Sequence, residues 1–138
     1  MFSVKEVAQK LNLTEHTIRF YTDRDLIPTI KRDKNNNRIF DQESMNWLKG
    51  VKFLKESGMS IKDIKSYNDL CLLGDATIPD RLEIILNRKE IAVAQLEELK
   101  KSVEFLENKA KKYEEIIKGE KITTDKMNPK YWNADLVK

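Results

Sequence analysis

The sequence predicts a mainly α protein built from a small helical head and one long amphipathic helix. Three observations carry this. Gly and Pro number only 4 and 3 in 138 residues, too few to punctuate a many-stranded sandwich or barrel. Charged residues reach 36% against 40% apolar, a balance typical of chains rich in exposed helix. Finally, apolar residues spaced alternately by 3 and 4 run from residue 82 to residue 117. The expected organisation is a head over residues 1–75, a long helix over 76–118 and a tail over 119–138.

The first helix is expected over residues 3–11. Ser3 and Glu6 form an S-x-x-E capping box, and Val4, Val7, Ala8 and Leu11 line one face. Asn12 and Leu13 interrupt it. Thr14 then caps a second helix that runs to about Arg24, and Pro28 closes the unit. Two short helices joined by about three residues make a helix-turn-helix, whose second member would be the reading helix. That helix presents Glu15, His16, Thr17, Arg19 and Tyr21, while Ile18 and Leu26 turn toward the core. Free N–H groups at its start favour phosphate, and its first side chains reach base edges in a major groove.

Residues 29–40 read as a hairpin, with Ile30 and Ile39-Phe40 strand-like around the turn residues Asn35, Asn36 and Asn37. After a helix-turn-helix such a hairpin is a wing. Arg32 and Arg38 would lie beside sugar-phosphate backbone or minor groove. Lys31, Arg32, Lys34 and Arg38 are the densest basic cluster of the first third, which a plain solvated loop would also explain. The net charge of +3 permits nucleic-acid binding without demanding it.

Asp41 caps a third helix over about 42–57, ending at Gly58, with Trp47, Leu48, Val51 and Leu54 inward. Ser60 and Asp63 suggest a second capping box, opening a helix near 61–71 that places Ile64, Tyr67 and Cys71 on one face. Residues 72–79 read as a turn, with Thr77 as N-cap and Pro79 in the first turn of the next helix. The seam that follows is Leu82, Ile85, Lys89, Ala92, Leu96, Leu99, Val103, Leu106, Ala110, Tyr113 and Ile117, broken only by Lys89. This is a left-handed coiled-coil period, and the head is too small to cover it throughout. Either a second copy pairs with it or the helix folds back on itself; no Gly or Pro before Gly119 supports folding back. The heptads do not distinguish parallel from antiparallel pairing. In the tail, Ile122, Met127, Tyr131, Trp132, Leu136 and Val137 are apolar enough to pack on the body or a partner subunit.

No apolar run approaches the about 20 residues that span a bilayer, and the N-terminus lacks a signal peptide's apolar core, so a soluble, cytoplasmic protein is expected. Cys71 is the single cysteine and His16 the single histidine, which excludes an internal disulfide and an intrachain Cys/His zinc site. No cofactor, metal or membrane partner is expected. There is no Ser/His/Asp set and no phosphate loop, so an enzyme is disfavoured. A scaffold protein whose winged helix docks protein remains the alternative to a DNA-binding one, and salt dependence separates the two.

The run FSVKEVAQKLNLTEHTIRFYTDRDLIP, the following R-x-x-N-N-N-R-I-F and the later ESGMSIKDI resemble the DNA-binding domain of the MerR family, over residues 2 to about 70. The TIRFY core at residues 17–21 is the most specific part. The resemblance implies a regulator joined as a homodimer by an antiparallel coiled coil. It implies phosphate contacts from Arg19 and Tyr21, base-edge or backbone contacts near His16 and Thr17, and wing contacts from Arg32 and Arg38. It also implies a phosphate at the backbone N–H groups of Ser60 and Ile61. The family wing reads N-G-Y-R where this chain has Asn35-Asn36-Asn37-Arg38, so the wing tyrosine is missing and Asn37 stands in its place. Family members untwist an overlong promoter spacer so that RNA polymerase can use both flanking elements, an indirect readout switched by an effector. The tail has no cysteine pair for metal sensing and no room for a drug-binding domain. The compact plan resembles the NmlR and AdhR subgroup, linked to aldehyde or thiol-reactive stress. Cys71 is then a sensor candidate, or else a small buried hydrophobe.

Overall fold

The computed structural model describes residues 1–119 and 128–131. In chain order these form β1 (Phe2–Ser3), α1 (Val4–Leu11), α2 (Glu15–Asp23), β2 (Lys31–Arg32), β3 (Arg38–Phe40), α3 (Gln42–Glu56), α4 (Ile61–Leu73), a 3-10 turn (Asp75–Thr77), α5 (Ile78–Ile117) and a second 3-10 turn (Pro129–Tyr131). Two compact units, Met1–Ala92 and Val93–Lys138, divide the chain within α5. The expected packing of the apolar tail falls on Ile122, Met127, Trp132, Leu136 and Val137, which lie outside the described residues, as does the side chain of Tyr131.

Local chemistry sets the boundaries of the head. Ser3 Oγ accepts the Glu6 N–H at 3.1 Å and Glu6 Oε1 accepts the Ser3 N–H at 3.1 Å, the complete capping box expected at the start of α1. Asn12 ends α1 with a left-handed backbone, φ 53°. Asp41 caps α3 by accepting the Ser44 N–H at 2.8 Å. Ser60 accepts the Asp63 N–H at 3.1 Å and caps α4. The capping box expected there is one-sided, because an aspartate side chain is one methylene shorter than the Glu or Gln that reaches back.

The wing is part of a three-stranded antiparallel sheet ordered β1-β3-β2, with Phe2 opposite Phe40 and Arg32 opposite Arg38. The first strand escaped sequence reading because two residues carry no alternation. The core gathers Val7, Ile18, Phe40, Leu48 and Ile64 from the four helices and β3 of the head, with Leu26 from the loop after α2, each fully buried. Two buried polar side chains tie loops to helices. Asn68 Nδ2 donates to the Leu26 carbonyl at 3.0 Å, and Ser44 Oγ donates to the Thr29 carbonyl at 3.1 Å.

The junction before the long helix differs from expectation. Residues 72 and 73 continue α4 instead of beginning a turn, and Gly74 then breaks it with φ 95°. Thr77 does not cap α5. Its hydroxyl turns back to the carbonyls of Leu70 at 2.7 Å and Gly74 at 2.8 Å. Arg81, one turn on, donates Nε to Thr77 Oγ1 and Nη2 to the Gly74 carbonyl, both at 3.0 Å. The open carbonyls at the end of α4 outcompete the start of α5 for the threonine, and the guanidinium completes the clasp.

From that clasp α5 runs as one unbroken 40-residue helix, about 60 Å long at about 1.5 Å per residue. None of its residues is buried within the single chain. Leu82, Leu96, Leu99, Val103, Leu106, Tyr113 and Ile117 are exposed, from 42% at Tyr113 to 83% at Ile117. Ile84, off that seam, packs against the head core.

Phe40→Ala should destabilise the head by about 3–5 kcal/mol, measured by chemical denaturation, since it empties the space where sheet and helices meet. The head should also lose stability in acid. The Ser44 backbone N–H, with Lys31 beside it, lowers the Asp41 carboxyl from 3.8 to about 2. Its contribution is therefore complete above about pH 4 and disappears as pH falls through about 2. In Asp41→Asn, thermal melts across that window should show a shallower decline than the parent chain.

Candidate nucleic-acid interface

The reading helix α2 has two faces. Ile18, Tyr21 and Thr22 are buried, whereas Glu15, His16, Arg19 and Phe20 are exposed. Thr14 caps it by accepting the Thr17 N–H at 3.0 Å and donating to Thr17 Oγ1 at 2.8 Å. Both hydroxyls are thus ordered at the helix start, next to the free N–H groups that favour an anion. Arg19 holds Glu15 at 3.3 Å across one turn, with both side chains about half exposed (49% and 46%). A surface pair of this kind is worth little and yields readily to a phosphate.

Tyr21 departs from the placement expected of a phosphate ligand. It is 6% exposed, within the core, and burial first and the Glu56 charge second push its hydroxyl above the usual phenol range. The spacing from Ile18 to Tyr21 and Thr22 is the inward face of a helix, which outweighs the polar tip of the ring.

Asp33, which sequence reading passed over, organises the wing. Its Oδ1 accepts the backbone N–H groups of Asn35 and Asn37, both at 2.9 Å, and its Oδ2 takes Asn37 Nδ2 at 3.4 Å. Those bonds, the Asn37 N–H foremost, lower the Asp33 carboxyl. Asn36 supplies the left-handed residue, φ 62°. The hairpin is therefore well turned without the family's glycine. The D-x-N-x-N spacing is a readable Asx-turn signal. Asn37, expected at the duplex, spends its side chain on Asp33.

Arg32 is exposed and braced by Nη1 on the Asn36 carbonyl at 3.0 Å. Arg38 is only 18% exposed and gives Nη2 to Asp23 Oδ1 at 2.6 Å. Between α2 and the wing runs an open cleft of about 310 Å³, lined by Glu15, Arg19, Arg32, Asn37 and Arg38 among others. Ser60 is exposed at the start of α4, where Ser60 and Ile61 begin a helix with free N–H groups. The structure thus brings Arg19, Arg32 and Arg38 to one helix-and-wing cleft, with Thr14 and Thr17 at the start of the same helix.

Cys71 lies apart from that surface. It is half-buried on α4, with Arg81 Nη1 3.8 Å from its Sγ. Burial and the neighbouring Cys71 raise the Tyr67 hydroxyl. An apolar cavity of about 260 Å³ touches Cys71, Tyr67, Trp47 and Leu54. Arg81 was also missed, although its i+4 spacing from Thr77 was readable.

Residues 2–69 match the model of the MerR HTH family regulatory proteins. An HTH-type transcriptional regulator of Haemophilus influenzae is 34% identical over 113 residues, 82% of this chain and 84% of its own. The chain belongs to the MerR family. Its members are DNA-binding transcription regulators and not enzymes. The HTH-type transcriptional regulator AdhR of Bacillus subtilis is 31% identical over 88 residues, 64% of this chain and 63% of that one. Among solved structures, this MerR chain is similar to HiNmlR, a MerR family regulator lacking the sensor domain, bound to promoter DNA. That match has TM-score 0.74 at 34% identity, covering 83% of this chain and 90% of that chain. A MerR family regulator from Bacillus thuringiensis matches at TM-score 0.74 and 29% identity, covering 81% and 98%.

Asp33→Ala should loosen the wing and leave the helices intact. Hydrogen exchange should speed by about fivefold or more at the Asn35 and Asn37 amides, because each lost bond is worth about 1 kcal/mol.

Proposed function

We propose that this MerR-family chain acts in the cytoplasm as a homodimer on a pseudo-palindromic promoter spacer, distorting the duplex so that RNA polymerase can use its flanking elements. The observation that carries this is the pairing of a DNA-type head with a continuous helix whose apolar seam stays open in the single chain. In an antiparallel pair centred near Leu99, Leu82, Ile85, Lys89, Ala92 and Leu96 fall opposite Ile117, Tyr113, Ala110, Leu106 and Val103, and Leu99 opposite itself. A rigid pair about 60 Å long sets the distance between two heads, and heads held at a set distance impose a shape on the duplex between them.

Within each head, Arg19 and Arg32 would bind phosphates, His16 and Thr17 would lie at base edges or adjacent backbone, and Ser60 and Ile61 would offer N–H groups to a further phosphate. Thr14 fixes the start of the reading helix. The alternative, a winged helix that docks protein, predicts weak salt dependence. Arg19→Ala should lower affinity for all duplexes in a mobility shift and flatten the dependence of log affinity on log salt by about one unit. Wild-type affinity that does not fall with salt would favour the protein-docking alternative.

For the effector we propose a small thiol-reactive or aldehyde compound sensed at Cys71. The cavity of about 260 Å³ against the thiol, with Tyr67 and Arg81 next to it, supports this reading. Cys71→Ser should keep DNA binding while abolishing the response of a reporter promoter to formaldehyde. An unchanged response would return Cys71 to a packing role.

A further inference from the structure

We propose that Asp23 is a positioning residue for DNA binding: through Arg38 it locks the wing to the reading helix, so that both meet the duplex as one surface. This rests on the DNA-binding reading above. Asp23 is the last residue of α2 and Arg38 the first of β3. Their carboxylate and guanidinium meet at 2.6 Å across 15 residues of sequence. Two other cations of the wing bond elsewhere. Arg32 stays inside the hairpin on the Asn36 carbonyl, and Lys31 reaches Asp41 at the start of α3. Arg38 is the wing cation whose bond crosses to the reading helix.

Its exposure separates a brace from a free ligand. The Arg38 side chain is 18% exposed, against 49% for Arg19 and 56% for Lys31. An arginine waiting for phosphate has no need to be covered, whereas a charge-assisted bond between two elements gains strength from being partly shielded. Asp23 itself is 62% exposed, on the element that would face the phosphates. On charge alone it opposes DNA binding, and removing it should help. The brace makes the opposite forecast, since a wing free to move must be ordered when the duplex binds, at a cost in affinity.

The test uses the full chain and a duplex fragment that the wild-type protein selects from genomic DNA. Asp23→Ala should weaken binding by about fivefold despite adding one net positive charge, with the salt slope unchanged. Asp23→Glu, which keeps the carboxylate, should recover most of the loss. Arg38→Gln combined with Asp23→Ala should lose no more than either change alone, because both break one link. Wing amides from Asp33 to Arg38 should exchange faster in the free Asp23→Ala chain while its melting temperature stays near wild type. Binding by Asp23→Ala that equals or exceeds wild type would overturn the proposal. So would an Arg38→Gln loss that adds in full to the Asp23→Ala loss and flattens the salt slope. The exchange measurement needs no DNA: unchanged wing amides would sink the brace even if the wild-type chain selected no duplex and the DNA reading itself had failed.

Discussion

The rest of the molecule turns on a long helix whose apolar seam the other described residues leave exposed. Along α5 the seam residues from Leu82 to Ile117 stand open to water, and the helix has no break at which to fold back. On the homodimer reading proposed above, apolar surface of that extent would drive association, and a period of 3.5 residues would set its form. Pairing would then have a consequence beyond stability. In such a pair, what happens where α5 meets the head would bear on how two heads are held. The Thr77–Arg81 clasp sits at that point, one hydrogen bond from the end of α4 and 3.8 Å from Cys71.

The head works by separating two jobs along the same short elements. In α2, Ile18, Tyr21 and Thr22 hold the core while Glu15, His16 and Arg19 face out. In the wing, Phe40 anchors β3 in the core while Asp33 fixes the turn and Arg38 ties the strand to α2. Rigidity in such a head is a functional property: contacts to phosphate carry orientation only if their carriers hold still.

Much of this was legible in the sequence because its signals are local. The Ser3–Glu6 box, the caps at Thr14, Asp41 and Ser60, and the inward spacings of Val4 to Leu11 need only neighbours within a turn to be decided. What failed was non-local or competitive. Two-residue β1 exists only because β3 is there to pair with it. Thr77 had two possible partners, and the carbonyls of Leu70 and Gly74 won over the cap. Asp23 and Arg38 lie 15 residues apart, and no pattern in the chain announces that they meet.

Sedimentation equilibrium of the full chain, at the concentrations used for DNA binding, decides whether α5 pairs. Pairing through α5 requires one species of about twice the 16.2 kDa chain mass, reduced to single chains when Leu99 and Leu106 are both changed to lysine. A wild-type species of single-chain mass under those conditions, with α5 still fully helical by circular dichroism, would contradict it.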